Sequence, residues 1–279
     1  MDVDELLNHY ISGIRDFREV NFVGANLEGQ DLREVNLRRV NLSGANLQDA
    51  DLSLANLREV NLTGANLTGA NLSRTNLIGA NLHNAILSKA DLTEAGLRGA
   101  KLTNATIYGA TLTGASIAEA ILDGADLTEV DLSESSLNRA KLVKANLSRA
   151  NLENANLSNA NLNEALLEGA CLVSAILQGA SLEEADLRDA DLSRARMGSA
   201  NLINVNLVNA SLRGANLSWT SLRGANLCKA NLYRANLNWA NLSEANLTET
   251  VLISAKIYCV NFHNATLAGT LMPDGIPNA

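Results

Sequence analysis

Ala65-Asn66-Leu67-Thr68-Gly69-Ala70-Asn71-Leu72 is the stretch that decides the fold of this chain. Its leucines stand five residues apart, and stepping by five in either direction keeps finding them. The series opens at Phe17, Phe22, Leu27, Leu32, Leu37 and Leu42 and continues to Leu267 and Met272. Departures from Leu are conservative, as at Ile107, Ile117, Met197, Ile257 and Phe262, and no insertion or deletion breaks the register. Two residues before each centre sits a small residue, usually Ala (Ala25, Ala45, Ala50, Ala55), with Val35, Thr75 and Ser135 among the replacements. Asn or Asp most often precedes the centre, while the two positions after it vary among Ser, Thr, Arg, Glu and Gly.

A period of five suits neither common element. On a helix successive centres would wander around every face, and on a flat strand alternate centres would point to opposite sides. The pattern is satisfied when each pentad makes one side of a coil and then turns a corner, with centre and small residue both inward. Stacked coils then pair backbone to backbone at the usual strand spacing of ~4.8 Å, so that roughly thirteen coils would make a rod of about 60 Å. Periodicity alone fixes neither the number of sides nor the hand of the coil.

Ala45-Asn46-Leu47, Ala65-Asn66-Leu67-Thr68-Gly69 and Ala225-Asn226-Leu227 resemble the A(D/N)LXX motif of pentapeptide-repeat proteins, and the match runs from about residue 16 to 272. The resemblance implies an all-β fold, a right-handed quadrilateral β-helix. The opening Glu5-Leu6-Leu7, Tyr10, Gly13 and Arg15-Asp16-Phe17, and the closing Met272-Pro273-Asp274-Gly275, are similar to the ends of cyanobacterial members.

An open solenoid exposes core and unpaired backbone at its ends, so caps are expected. Val3, Leu6, Leu7, Tyr10, Ile11 and Ile14 fall at helical spacing, and Asp2 and Asp4 suit a helix start. We therefore divide the chain into a short helical N-terminal cap over 1–15, the repeat region over 16–272, and a C-terminal tail over 273–279. Pro273 and Pro277 stop the ladder, because proline cannot donate to it. Leu271, Met272 and Ile276 either cover the last coil or meet a second chain, so the expected state is a monomer or an end-to-end homodimer.

Bulk composition agrees with thin, uniform layers: 47% of residues are apolar but only 3% aromatic. A net charge of -8 argues against direct nucleic-acid binding, which usually shows a basic footprint. Cys171, Cys228 and Cys259 form no CxxC pair and no even framework, which fits a reducing compartment. The start Met1-Asp2-Val3-Asp4-Glu5 is acidic where a signal peptide would be basic, and no stretch reaches the ~20 apolar residues of a membrane helix. A cytoplasmic protein without membrane contact is the expectation.

Residues twenty apart should stack if four pentads close a coil, which turns the sequence into a surface map. Arg18, Arg38, Arg58 and Arg98 then share a column, with Glu19, Glu59 and Arg39 in the next one. This is either an anion-binding stripe or a solvated charged surface, and the latter is favoured. Trp219 and Trp239 should stack outward one coil apart, with Tyr258 beside them and Cys259 in their column. They are either a partner-binding patch or packing across coils, with Arg223 over a ring. The Asn columns, such as Asn21, Asn41, Asn61 and Asn81, are expected to form side-chain ladders. Ile86, Ile121, Leu166, Ile176 and Val251 put single apolar residues outside, an ordinary feature of surfaces.

Chemistry is not expected. His83 and His263 fall in one column but nine coils apart, roughly 40 Å at strand spacing, too far for one metal site. No GxxxxGK[ST] loop occurs, and Glu183-Glu184 would lie on a flat wall. An unbroken register leaves no long loops for catalytic residues. The expectation is a non-catalytic interaction scaffold without cofactor or metal, binding a protein partner through Trp219, Trp239, Tyr258 and the four arginines. The cyanobacterial resemblance implies a role in stress, nitrogen-starvation or heterocyst physiology. The alternative implied by the family is a DNA mimic that regulates a DNA-binding enzyme such as gyrase. Its continuous acidic face and insertion loop are missing here.

Overall fold

The computed structural model describes residues 1–278 and divides into two compact units, Met1–Lys141 and Leu142–Ala279. In each unit every pentad makes one extended residue, one inward centre and a turn, and the fifth residue leads into the next side. Parallel bridges link residues twenty apart, from Asp16↔Asn36 to Ile121↔Lys141 in the first unit and from Asn146↔Leu166 to Val251↔Leu271 in the second. Four pentads therefore close each coil. Each side contributes a single bridging residue before the chain turns, so no continuous strand and no sheet forms among the described residues. The all-β expectation holds in its pairing direction and repeat but not as a sheet, because a five-residue side is too short for two successive ladder positions.

The core follows the pattern without exception through the middle of both units. Leu27, Leu32, Leu37 and Leu42 are shielded from solvent, and so are Ala45, Ala50 and their successors. Polar side chains at the small position are buried only with a partner. The Thr75 hydroxyl donates to the Leu52 carbonyl at 3.0 Å, Thr250 to Leu227 at 2.6 Å, and Thr270 to Leu247 at 2.7 Å. An unpaired buried hydroxyl would cost about 1–3 kcal/mol, so each substitution for Ala brings its own acceptor.

Backbone accounting explains the remaining motif positions. In the pentad Asn26-Leu27-Glu28-Gly29-Gln30, the Leu27 N–H donates to the Asn46 carbonyl at 2.7 Å and the Gly29 N–H to Gln48 at 2.8 Å, both in the following coil. The Gln30 N–H closes a β-turn onto the Leu27 carbonyl at 3.2 Å. One coil on, the Asn46 N–H reaches back to Ala25 at 2.9 Å. The position after the centre has no backbone acceptor. Its N–H is taken by the Asn or Asp two residues before it: Gln48 by Asn46 Oδ1 at 3.2 Å, Thr63 by Asn61 at 3.1 Å, Ser53 by Asp51 at 2.9 Å. That local bond is the Asx-type closure these side chains favour. The expected ladder is also present, with Asn61 Nδ2 donating to Asn41 at 3.0 Å, but it is joined to a local role that repeats even where the ladder lapses.

The corner is the strained point. Every residue at the second position after the centre, from Glu19 to Gly269, has positive φ, including Leu54 (φ 61) and Glu134 (φ 59). A β-turn with positive φ at its third residue alone is the type II class, which prefers Gly there.

The ends differ from the middle. Helix α1 (Val3–Ile11) starts with a capping box in which Asp2 accepts from the Glu5 N–H at 2.9 Å and Glu5 accepts from the Asp2 N–H at 3.1 Å. Leu6 is buried, and the Tyr10 hydroxyl donates to Asp31 at 3.1 Å and reaches the Arg33 carbonyl at 3.2 Å. The rest of the expected stripe is less covered: Ile11 is 81% and Ile14 45% exposed. Ile11 ends the helix and Ile14 follows the positive-φ Gly13, so the buried contact of α1 is confined to its earlier turns around Leu6. At the other end Leu271 pairs antiparallel with Pro277, and Gly269 and Asn278 are joined backbone to backbone at 3.1 Å. Ile276 stays 63% exposed instead of covering the last coil.

Gly44 has φ +66, and a Cβ added there would meet only open space, so Gly44→Ala isolates the corner's conformational preference. It should lower stability by about 1–2 kcal/mol in a thermal melt, while Leu54→Gly should not lower it. Asn61→Ala, which strips the Thr63 N–H of its acceptor, should cost about 1 kcal/mol by the same measurement.

Candidate functional site

In the first unit the structure spreads the four arginines among carboxylates. Arg18 folds onto Asp16 at 2.7 Å, and Arg98 reaches Glu119 at 3.1 Å. Glu59 gathers three guanidiniums: Arg39 at 2.7 Å, Arg58 at 3.0 Å and Arg38 at 4.0 Å. Arg38 and Arg58 are thus brought together, whereas Arg18 and Arg98 each keep a separate partner. Only the Arg38 Nε is shielded without an acceptor among the described residues. Hydrogen bonds from Arg39, and then from Arg58, hold the Glu59 carboxyl below its usual range, and Arg18 does the same for Asp16. Exposed pairs of this kind contribute little to stability, ~0–1 kcal/mol each. As a group they offset part of the column's positive charge.

Asp31 is the carboxylate with a structural task. Arg33 grips it at 2.7 Å, and Tyr10 of α1 donates to the same group. The Arg33 hydrogen bond, helped by the Arg33 backbone N–H and Tyr10, holds the Asp31 carboxyl well below the usual carboxylate range. Burial and the Asp31 bond push the Tyr10 hydroxyl up, and Arg15 lies 3.8 Å over the Tyr10 ring.

The second unit carries the aromatic cluster. Trp219 and Trp239, one coil apart, stack at 4.9 Å between centroids with planes 4° apart. Tyr258 meets Trp239 edge-on at 5.5 Å and 82°. All three are open to solvent, at 62%, 46% and 67% exposure. Both tryptophans sit at the corner position, with φ 61 and 64, so their backbones are fixed by the turn and by bonds to Asn238 and Tyr258 carbonyls at 3.0 and 2.9 Å. Cross-coil packing and exposure therefore coexist: Trp239 contacts both Trp219 and Tyr258, yet all three rings keep much of their surface in water. No guanidinium lies over either indole among the described residues. The cationic stacking that does occur in this unit is at Tyr233, flanked by Arg213 and Arg234 at 5.1 Å each, a cluster the sequence map did not single out. Its signal was available, since residues 213 and 233 stand twenty apart.

Among the described residues no group of three His, Cys, Asp or Glu side chains could hold a metal ion, and no helix is long and apolar enough to cross a membrane. All three cysteines are free.

The pentapeptide-repeat family model matches a series of stretches that together cover residues 21–227 and 230–269. The chain belongs to the pentapeptide-repeat proteins. It is 32% identical over the full length of both chains to HetL of the cyanobacterium Nostoc sp. strain PCC 7120, with a TM-score of 0.28; HetL is described as involved in heterocyst differentiation regulation. It is 34% identical to a thylakoid-lumen pentapeptide repeat protein of Arabidopsis thaliana, over 39% of this chain and 70% of that one, with a TM-score of 0.30. Rfr23 of the cyanobacterium Cyanothece 51142 is 30% identical over 40% of this chain and 63% of its own, with a TM-score of 0.18. None of the curated proteins matches.

Acid tests the Asp31 contact. Because its folded pKa lies below the unfolded value, the stabilisation is complete above about pH 4 and is lost as pH falls through the folded pKa. The melting temperature of the wild type should therefore drop more steeply below about pH 4 than that of Asp31→Asn, which starts lower and changes less.

Proposed function

We propose that this protein is a non-catalytic interaction scaffold whose second unit binds a protein partner through Trp219, Trp239 and Tyr258. The observation that carries this reading is the exposed, mutually stacked pair of tryptophans in a chain with only 3% aromatic residues. Exposed aromatics held in one geometry are the residue type enriched at interface hot spots. Their fixed backbones lower the ordering cost of association. The right-handed, four-sided coil, the division into a cap over 1–15, repeats over 16–272 and a tail over 273–279, and a cytoplasmic location belong to the same reading. So does a monomer or end-to-end homodimer. The likeness to HetL supports a regulatory role in cyanobacterial development or nitrogen starvation.

Arg18, Arg38, Arg58 and Arg98 are the weaker part of the proposed contact surface, since carboxylates already engage them. The same pairing weighs against a DNA mimic. Arg39–Glu59, Arg74–Glu94, Lys144–Glu164 and Lys229–Glu249 place cations against acidic positions where a mimic needs an unbroken negative stripe.

A lysate pull-down comparing the wild type with Trp219→Ser/Trp239→Ser tests the scaffold reading. Loss of the stack should cost at most about 1.5 kcal/mol, so the variant remains folded. A partner captured by the wild type and lost by the variant is expected; equal capture by both proteins would reduce the tryptophans to packing.

A further inference from the structure

On the side of the second unit's coils that precedes the tryptophan side lies a groove of about 460 Å³, lined by Val173, Asp191, Ser193, Arg213, Tyr233 and Arg234 together with Arg194 and Gly214. Four successive coils contribute to it, and its cations are staggered over the last three: Arg194, then Arg213, then Arg234. All three arginines are exposed, and Tyr233 is half-buried between them. Its ring carries Arg213 and Arg234 at 5.1 Å each, within cation–π reach of both guanidiniums.

Charge separates this cluster from the arginine column of the first unit. Arg18, Arg58 and Arg98 each sit on a carboxylate. Arg194, Arg213 and Arg234 have no carboxylate within ion-pair distance among the described residues. The groove's one acid, Asp191, accepts instead from the Ser193 N–H at 2.9 Å. Three guanidiniums facing one carboxylate, on a chain of net charge -8, form a local cationic site on an acidic protein.

We infer that this groove binds an acidic peptide segment of a partner protein, with its carboxylates taken by Arg194, Arg213 and Arg234. Planar guanidinium forks match carboxylates in two-bond geometry. Three coils span about 10 Å along the stack, and alternate side chains of an extended peptide lie about 7 Å apart on one face, so one short extended stretch places two carboxylates among the three forks. A nucleic acid is the poorer occupant, because few cations are offered and the surrounding net charge repels a phosphate backbone. The inference does not rest on the aromatic ridge, which occupies the neighbouring side. It adds a separate, charge-reading contact.

The test uses the whole protein and a fluorescein-labelled peptide of glutamates, read by anisotropy at low salt. The wild type should bind it, and Arg194→Gln/Arg213→Gln/Arg234→Gln should weaken binding about ten-fold or more. Lys89→Gln/Lys101→Gln/Arg139→Gln removes the same charge from the first unit and should change it less than about two-fold. The groove arginines are exposed, so folding should survive; the single Arg213→Gln, with an expected loss of about three-fold, gives the same reading with less perturbation. Trp219→Ser/Trp239→Ser should retain peptide binding even where partner capture is lost. Absence of binding by the wild type, equal loss in the two charge-removing triple variants, or loss in the tryptophan variant would overturn the inference. Displacement by inorganic phosphate far beyond that by chloride at matched ionic strength would also overturn it, by showing that the groove takes an isolated oxyanion.

Discussion

Everything in both units depends on a corner residue held at positive φ. That conformation lets a five-residue segment supply one bridging residue, two inward side chains and a turn, then begin again. Because the corner N–H donates to the next coil, as Gly29 does to Gln48, the strained residue also belongs to the inter-coil pairing. Local strain and long-range pairing are thus met in the same residue. The cost is met collectively, since a non-glycine residue there would not hold the conformation without bonded coils on either side.

This constraint sets which residue types the other positions accept. The interior left by four short sides admits one large and one small side chain per pentad, hence Leu with Ala. The N–H after the centre faces away from every backbone acceptor, hence Asn or Asp two residues earlier. Only the two turn positions are free, and these carry the arginines, tryptophans and tyrosines on which any binding must rest. Function in such a fold is written in the positions that the fold does not need.

Much of this was legible in the sequence. The centres, the small inward residues and the stacking of residues twenty apart follow from an unbroken register, so the Trp219–Trp239 contact could be anticipated from numbering alone. Side-chain direction at the surface could not. Arg58 turned to Glu59 of the neighbouring column, as expected, but Arg18 turned to Asp16 rather than Glu19, because flexible cations find the nearest carboxylate. Tyr233 and Arg213 share one column and Arg234 lies in the next, so the numbering placed them together, but it did not show that the ring would carry both guanidiniums. The Asx role of Asn46 and Asn61 was hidden for a different reason: a ladder and a local bond demand the same residue. At the termini the period lapses, and neither Ile11 nor Ile276 took the covering role that its apolar side chain suggested.

The central claim is that the corners hold outward side chains in place before any partner arrives. Proton NMR of the free protein measures this directly, since Trp219 and Trp239 supply the only indole N–H signals in the chain. The account predicts two dispersed, ring-current-shifted indole resonances with nuclear Overhauser contacts between the rings, as stacking at 4.9 Å requires. Two overlapping signals near the free-tryptophan position, without contacts between the rings, would contradict it.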